Sequence, residues 1–474
     1  MAIIKLNFSE WLPDQPSVID SLKTATNVVP LAVGYESFPS SENYSNAASE
    51  SLITAFAGKF GTSTFLFAAG ASKLFKFNTS TLNLDDVSKS GGYTAEKWSI
   101  VQFGKTILAA NNSAKIQAWT LGTSTTFNDV SANAPVAKYI TIVRDFVVAG
   151  YLDSGTNANK LQWSDINDET NWVAGASSQS DYQFISQGNN ITGLTGGEFG
   201  LVFMDTAVVR MSYIGSPFFW QFDVISNNIG CLDGGSIAQY GKTSFFLSDN
   251  GFYACDGTTL KPIGTNKVDN YFFSTAELAN IKTISAAVDP TRKIVVWNYA
   301  NTSGGRSMLM YNWVSDKWSS ATTTAYSVNS IATVGYTLED LNTFGTLDSL
   351  TTSLDDRLWV GGKFLFAGTT GDKISTFTGD PMPATITTSD IEQGYNSVVT
   401  LVRPQIDNGS ASVAVASRKN LDDTISFSSQ VNADSEGRVP LRSAGRYHRF
   451  NIVPSGLWTN AIGIDIEVTN QGSR

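Results

Sequence analysis

One histidine, His448, is all the imidazole in a chain of 474 residues. It stands in GRYHRF, on a stretch that alternates like a strand. A single His cannot supply a multi-histidine zinc site, and as the base of a Ser-His-Asp set it would have no substitute. It is read as a structural or interface residue. Cys231 and Cys255, the two cysteines, are too few for a disulfide framework. Both flank strand-like runs, which suits buried free thiols. GGSIAQYGKTS (234–244) imitates a phosphate loop. That motif needs a glycine five positions before Gly241, where the chain has Ser236. The loop must also open a helix to aim its N–H groups at phosphate, and this one lies between strand-like runs. Gly241-Lys242 is read as a hairpin turn, the counterpart of Gly104-Lys105.

SDINDETNW (164–172) gathers Asp165, Asp168 and Glu169. Such a cluster could bind calcium, but it lacks the glycine of the helix-loop-helix calcium motif. It is also similar to the Asp-box turns of sialidase propellers. Those enzymes need an arginine cluster for the substrate carboxylate and a Tyr–Glu pair, and the repeats described below assemble neither. A solvated turn ending in a packed Trp is the reading adopted. GRVPLRSAGRYHRF concentrates Arg438, Arg442, Arg446 and Arg449 in an acidic chain. The planar guanidinium pairs two-pronged with carboxylates and is favoured at interfaces. A solvated strand edge is the other reading, and both stay open. No residue set here calls for catalysis, a metal or a cofactor.

The elements that carry these residues repeat. KYITIVRDFVVAG (138–150) is strand, charged turn, strand. WSIVQFGKTILAA (98–110) has the same order. It recurs in TSTFLFAAGASKLFKF, NNITGLTGGEFGLVFMD, GSIAQYGKTSFFLSDNGFYAC, ISAAVDPTRKIVVWNYA and RLWVGGKFLFAGTT. The first turns fall near 62, 104, 145, 197, 241, 291 and 362, mostly about 40 to 52 residues apart. A period of this size with several strands per unit signals a β-propeller. A lone four-stranded sheet cannot bury both faces, and a ring of sheets can. The small pairs Ala109-Ala110, Ala149-Gly150 and Ala367-Gly368 suit close packing near an axis. Six or seven blades are expected, because the first and last units can share one.

The last gap is too long for one blade and contains TLEDLNTFGTLDSL. An insertion at 335–356 is expected there, with Leu338, Leu341 and Leu347 as contact candidates. A second insertion is placed near 270–285, where STAELANIKTIS (274–285) reads as a helix capped by Ser274 or Thr275 with Glu277 in its first turn. From about 376 the pattern tightens to strong alternation in ASVAVAS, HRFNIV and IGIDIEV. The expected organisation is an extended arm over 1–45, a propeller over 46–375 and a β-sandwich domain over 376–474, an all-β chain throughout. Composition agrees: 12% aromatic residues and 40 glycines favour strands and turns, and only 16% of residues are charged. A net charge of −10 argues against tight general nucleic-acid binding. It leaves room for a passage through which DNA slides. The sequence has no run of about 18 apolar residues that would span a membrane as a helix, and the N-terminus lacks a signal-peptide pattern. Synthesis in a cytoplasm is expected.

FSEWLPDQPSV, ATNVVPLAVGYESFPS, LQWSDINDETNW, GSPFFWQFDVISNNIGC, LSDNGFYACDGTTLKPIG, TLEDLNTFGTLDSLTTSLDDRLWVGG and RSAGRYHRFNI together resemble one protein family. It is the packaged-DNA stabilisation, or tail accessory, family of short-tailed phages, whose members form the tail nozzle or hub. The resemblance runs through most of the chain. It implies a propeller with a β-sandwich, six copies in a ring below the portal and adaptor rings, and no enzymatic activity or cofactor. It further implies a place in the virion tail, assembled in the host cytoplasm. Expected partners are the adaptor ring, distal fibre, spike or needle proteins, and genomic DNA in passage. The competing expectation is a carbohydrate-binding or glycan-hydrolysing propeller.

Overall fold

The computed structural model describes residues 2–17, 19–336, 340 and 360–470. Leu338, Leu341 and Leu347, and nearly all of the 335–356 insertion, lie outside the described residues.

The chain is all-β and built on a propeller. Six four-stranded antiparallel sheets stand alone. Five come from consecutive chain. Blade 1 has strands Leu52–Phe60, Ser63–Gly70, Leu74–Phe77 and Leu84–Asp86. Blade 2 begins at Ser99–Phe103, blade 3 at Ala137–Val143, blade 4 at Ile191–Thr195 and blade 5 at Ala238–Tyr240. A further meander, Ser285–Asp289, Ile294–Ala300, Arg306–Asn312 and Lys317–Thr323, takes the next position in the ring. Its outer strand continues into a larger sheet, so it is a blade without a free edge. The last blade takes Ser327–Ala332, Phe364–Thr370 and Lys373–Pro381 from one end of the chain and Pro39–Asn43 from the other. The turns near 62, 104, 145, 197, 241, 291 and 362 each lie between a first and a second strand.

Hydrogen bonds between successive blades close the ring. Lys59 N donates to Gln102 Oε1 at 2.9 Å and Ser99 Oγ to Ile140 O at 3.1 Å. Gly197 N donates to Ile142 O at 2.8 Å and Gln239 Nε2 to Gly196 O at 2.6 Å. Trp297 Nε1 reaches Ser236 O at 2.8 Å, Val328 N reaches Ser285 Oγ at 3.0 Å and Thr54 Oγ1 reaches Asn329 Oδ1 at 2.8 Å. The second strands sit between two neighbouring blades and are covered on both faces. TILAA (106–110) and GLVFM (200–204) are buried at every position, which is why they read as unbroken apolar runs. The outer strand DYQF (181–184) is exposed at every position. Small residues at the ends of second strands are required by contact: a Cβ on Gly368 would stand 2.9 Å from both Ala325 Cβ and Ser327 O.

The C-terminal strands Ile391–Ile406, Ser410–Arg418, Val439–Ser455 and Asn460–Asn470 form a β-domain. The segment read as an arm is woven into it. Ala2–Asn7 pairs with Asn460–Asn470. Leu22–Thr26 pairs with Thr385–Thr388 on one side and, through Thr26 and Ser320, with the outer strand of the sixth blade on the other. One 14-stranded sheet therefore runs from a propeller blade into the terminal domain. The apolar core is equally continuous. Trp297 and Trp318 of the blade and Phe450, Ile452 and Ile466 of the terminal domain belong to one buried cluster with Trp11 and Leu22.

The helix expected at 274–285 lies elsewhere. The α-helix is Asp269–Thr275, followed by a 3-10 turn at Leu278–Thr283. Ser274 and Thr275 end it: their hydroxyls donate back to Tyr271 O at 2.9 and 2.8 Å. Its start is capped from a distance by Asp14, whose carboxylate accepts from Asn270 N and Tyr271 N, each at 2.8 Å. Side-chain capping satisfies orphan N–H groups wherever the acceptor comes from, and here it comes from a residue 256 positions earlier in the chain.

Candidate functional site

The four arginines meet different environments along and beside Val439–Ser455. Arg438, just before the strand, is held in its turn by Asp434 at 3.1 Å and Glu436 at 2.7 Å, in solvent. Arg442 is exposed and has no hydrogen bond or ion pair among the described residues. Arg446 is exposed and pairs with Glu392, its Nε 3.0 Å from Oε1. The alternation that turns 442 and 446 outward ends at Tyr447, where the strand Ser410–Arg418 joins on the other edge and covers it. Arg449 is therefore buried, 2.7 Å from Asp390.

Asp390 is the centre of a buried junction. Its carboxylate also takes Arg418 at 2.6 Å, so one negative charge serves two guanidiniums, both permanently charged. Arg418 Nη1 donates to Asp423 O at 3.2 Å and ties down the following loop. Asp390 N donates to Ser17 O, Ser389 N to Ser21 O, and the hydroxyls of Ser21 and Ser389 meet at 2.8 Å. The Nε atoms of Arg418 and Arg449 are buried without a partner. Burial, and then the charge of Arg449, holds the nearby Lys23 ammonium below its usual pKa. A cleft of about 300 Å³ opens beside the junction, lined by Asn7, Ser9, Asp20, Ser21, Asp390 and Glu392.

His448 lies on the same strand. Its Nε2 is 2.7 Å from Ser397 Oγ and its Nδ1 2.7 Å from Ser417 Oγ. Burial lowers its pKa to about 4, so the ring is neutral near pH 7, with one nitrogen donating and the other accepting. Hydroxyls, not a carboxylate, orient it.

The acids of SDINDETNW go to separate partners. Asp165 accepts from Ile166 N and Gln179 N, each at 2.9 Å, Asp168 from Thr170 Oγ1 at 2.6 Å and Glu169 from Thr106 Oγ1 at 2.8 Å. They build the turn and its contact with blade 2. Among the described residues no group of three His, Cys, Asp or Glu side chains converges as metal ligands would. Gly241, at φ +60°, makes the same left-handed turn as Gly104 at +55°. Cys231 and Cys255 are free, buried thiols, and burial pushes their pKa values up to about 12 and about 11.

Asp390, Arg418 and Asp14 were not visible as site residues in the sequence. Each bonds to groups far along the chain, and no local spacing marks such a pair.

No known protein family matches the chain, and no curated protein does. Solved structures resemble it at low identity. The extracellular domain of a B. thetaiotaomicron protein described as a hybrid two component system, BT4673, aligns with TM-score 0.44 and 11% identity, over 82% of this chain and 47% of that one. The same protein described as a one component system gives 0.42 and 11%, over 77% and 43%. The computationally designed Ika8 protein gives 0.38 and 9%, over 70% and 98%. The chain spans less than half the length of the two BT4673 structures. Likeness at this level carries nothing about ligand or partner.

Proposed function

We propose that the protein is a structural component of a phage tail: one subunit of a hexameric nozzle, or hub, below the portal and adaptor rings. In this reading it retains the packaged genome and walls the channel through which it leaves. The observation that carries the reading is the seam between propeller and terminal domain. A sheet of 14 strands and one apolar core cross it, so the two parts move as one block. A ring wall that must hold against DNA from within needs subunits that do not hinge. The resemblance of several sequence words to the tail accessory family points to the same reading. An acidic chain, −10 overall, suits a channel that DNA must leave without lasting phosphate contacts.

Ring closure needs a heterologous interface, in which one surface meets a different surface of the next copy. Arg442 and Arg446 are candidates for it: both are exposed, and they project from a rigid strand. Changing both to Ala should weaken ring assembly or docking to the adaptor and leave the fold intact, as read by sedimentation and circular dichroism. Normal assembly with failure only of genome retention would assign these residues to DNA instead. Saturable binding to a glycan array by a monomeric protein would favour the carbohydrate-binding propeller.

A further inference from the structure

The outer hairpin of blade 4, Val208–Gly215 and Phe219–Ser226, ends in an apolar tip. Phe218 is 77% exposed and Ile214 53%, with Ser216 and Pro217 exposed between them. The chain carries no charged residue from Met211 to Phe222. The base beneath the tip is packed: Trp220 is buried, its ring centre 5.2 Å from that of Phe146 and 5.3 Å from that of Tyr213. Large apolar groups displayed together on a surface mark interaction sites, and this tip holds them on a firm support.

Further round the propeller, a cleft of about 840 Å³ opens between the sixth blade and the last. Val314, 64% exposed, stands on the outer turn of the sixth blade; Phe364 and Phe377 belong to the last blade, and Leu31 comes from the N-terminal segment. Pro39 and Glu42, on the outermost strand of the last blade, also line the cleft, so it opens at the rim. Its partly buried charges are already matched: Arg292 pairs with Glu36 at 2.8 Å and with Asp289 at 3.2 Å. Asn312 Nδ2 donates to Pro30 O at 2.9 Å. Lys293 and Glu42 are exposed. An uncharged apolar guest suits such a cleft, and a charged one would find the partners inside taken. The volume is in the range of sites that enclose whole small molecules, ample for the side chains of a hairpin tip.

We propose that tip and cleft join neighbouring copies of this chain: the blade 4 tip of one copy, led by Phe218, seats between the sixth and last blades of the next. This rests on the ring assembly put forward above and names a contact that closes it. Tip and cleft are different surfaces, as a heterologous contact requires. Their placement fits a ring. The six separate four-stranded sheets and the meander of the sixth blade make seven places around the propeller. From blade 4 to the boundary between the sixth blade and the last is two and a half of these places, about 130° around the axis; a flat ring of six with parallel propeller axes needs its two contact directions about 120° apart. Directions straight across from each other would build a filament instead.

The test uses the full chain. Phe218→Asp and Val314→Asp change exposed side chains, so both variants should match the parent by circular dichroism. In sedimentation velocity each should weaken self-association about tenfold or more, the scale of a central apolar anchor. Mixed one to one, the two variants should form pairs and stop there, because one intact tip and one intact cleft remain between them. Under mild oxidation Phe218→Cys mixed with Val314→Cys should cross-link between copies, and neither should do so alone; the native Cys231 and Cys255 are buried. The proposal is overturned if the parent stays monomeric at its highest soluble concentration, or if both Asp variants associate as the parent does. In the second case, Phe218-dependent flotation with phosphatidylcholine vesicles would assign the tip to a lipid surface. Rings of six that ignore both variants remove this contact and keep the ring. Association through these residues into another number of copies keeps the contact and removes the ring of six.

Discussion

Blades 1 to 4 and the seam between the sixth blade and the terminal domain are made of the same strands and hold together differently. In the early blades each strand pairs with the next in the chain. At the seam almost every partner is distant: Asn27 caps Thr322 N at 2.9 Å and donates to Pro383 O at 2.8 Å, and Asp14 caps a helix that begins at Asp269. A ring of local meanders forms blade by blade, but it leaves two ends. Here both ends are fixed by one N-terminal segment, which supplies the outer strand of the last blade and three ladders of the terminal domain. Non-local pairings carry the larger loop-closure cost, so damage to the seam should be felt throughout, while damage to a blade hairpin should stay local.

The largest effect is expected from deleting residues 2–43. The last blade loses its fourth strand and the terminal domain its edge, and the product should fail to fold as a soluble protein when expression is followed by size exclusion. A soluble, cooperative product would break the comparison. Next comes Trp318→Ala. This side chain is fully buried in the shared core and donates to Ile263 O at 3.0 Å; its loss should cost about 3–5 kcal/mol in urea unfolding. Asp390→Ala leaves Arg418 and Arg449 buried without their carboxylate, at a cost of about 3–5 kcal/mol. By contrast Glu198→Ala removes only the exposed pair with Lys242, and its unfolding midpoint should match the parent's.

Two groups near the seam sharpen the comparison through pH. Folding lowers His448 from 6.5 to about 4. Between those values the unfolded chain binds the extra proton, so this group removes stability as pH falls from about 6.5 toward 4. Asp269, wedged against Gly251 and Gly264 and away from water, is raised from 3.8 to about 6. There the folded chain holds the extra proton, so this group adds stability as pH falls from about 6 toward 4. His448→Gln should therefore gain on the parent as the solution is acidified through this range, and Asp269→Asn should lose ground to it. Thermal unfolding at pH 7, 5.5 and 4.5 reads both; parallel curves for all three proteins would contradict the assignment.

The blades were legible because their information is local: turn residues and apolar second strands recur at a period, and all of the first turns were placed. The seam was not. Leu22–Thr26 and Pro39–Asn43 are short and polar in part, and nothing in five residues names a partner hundreds of positions away. The helix was displaced for a related reason. Ser274 and Thr275 are good capping types, but their hydroxyls serve the last turn, and the cap at the start is Asp14. The arginine strand was legible as a cluster. Its division into exposed Arg442 and Arg446 and buried Arg449 follows from where Ser410–Arg418 covers the strand, which alternation alone does not reveal.

The central proposal, that this chain is one wall unit of a six-membered ring, is tested most directly by imaging. Negative-stain class averages of the protein mixed with the adaptor ring that the proposal calls for should show closed rings of six copies, with propeller and terminal domain in fixed relation in every copy. A protein that stays monomeric beside the adaptor, or that is found only in fibres at the tail's periphery, would contradict it.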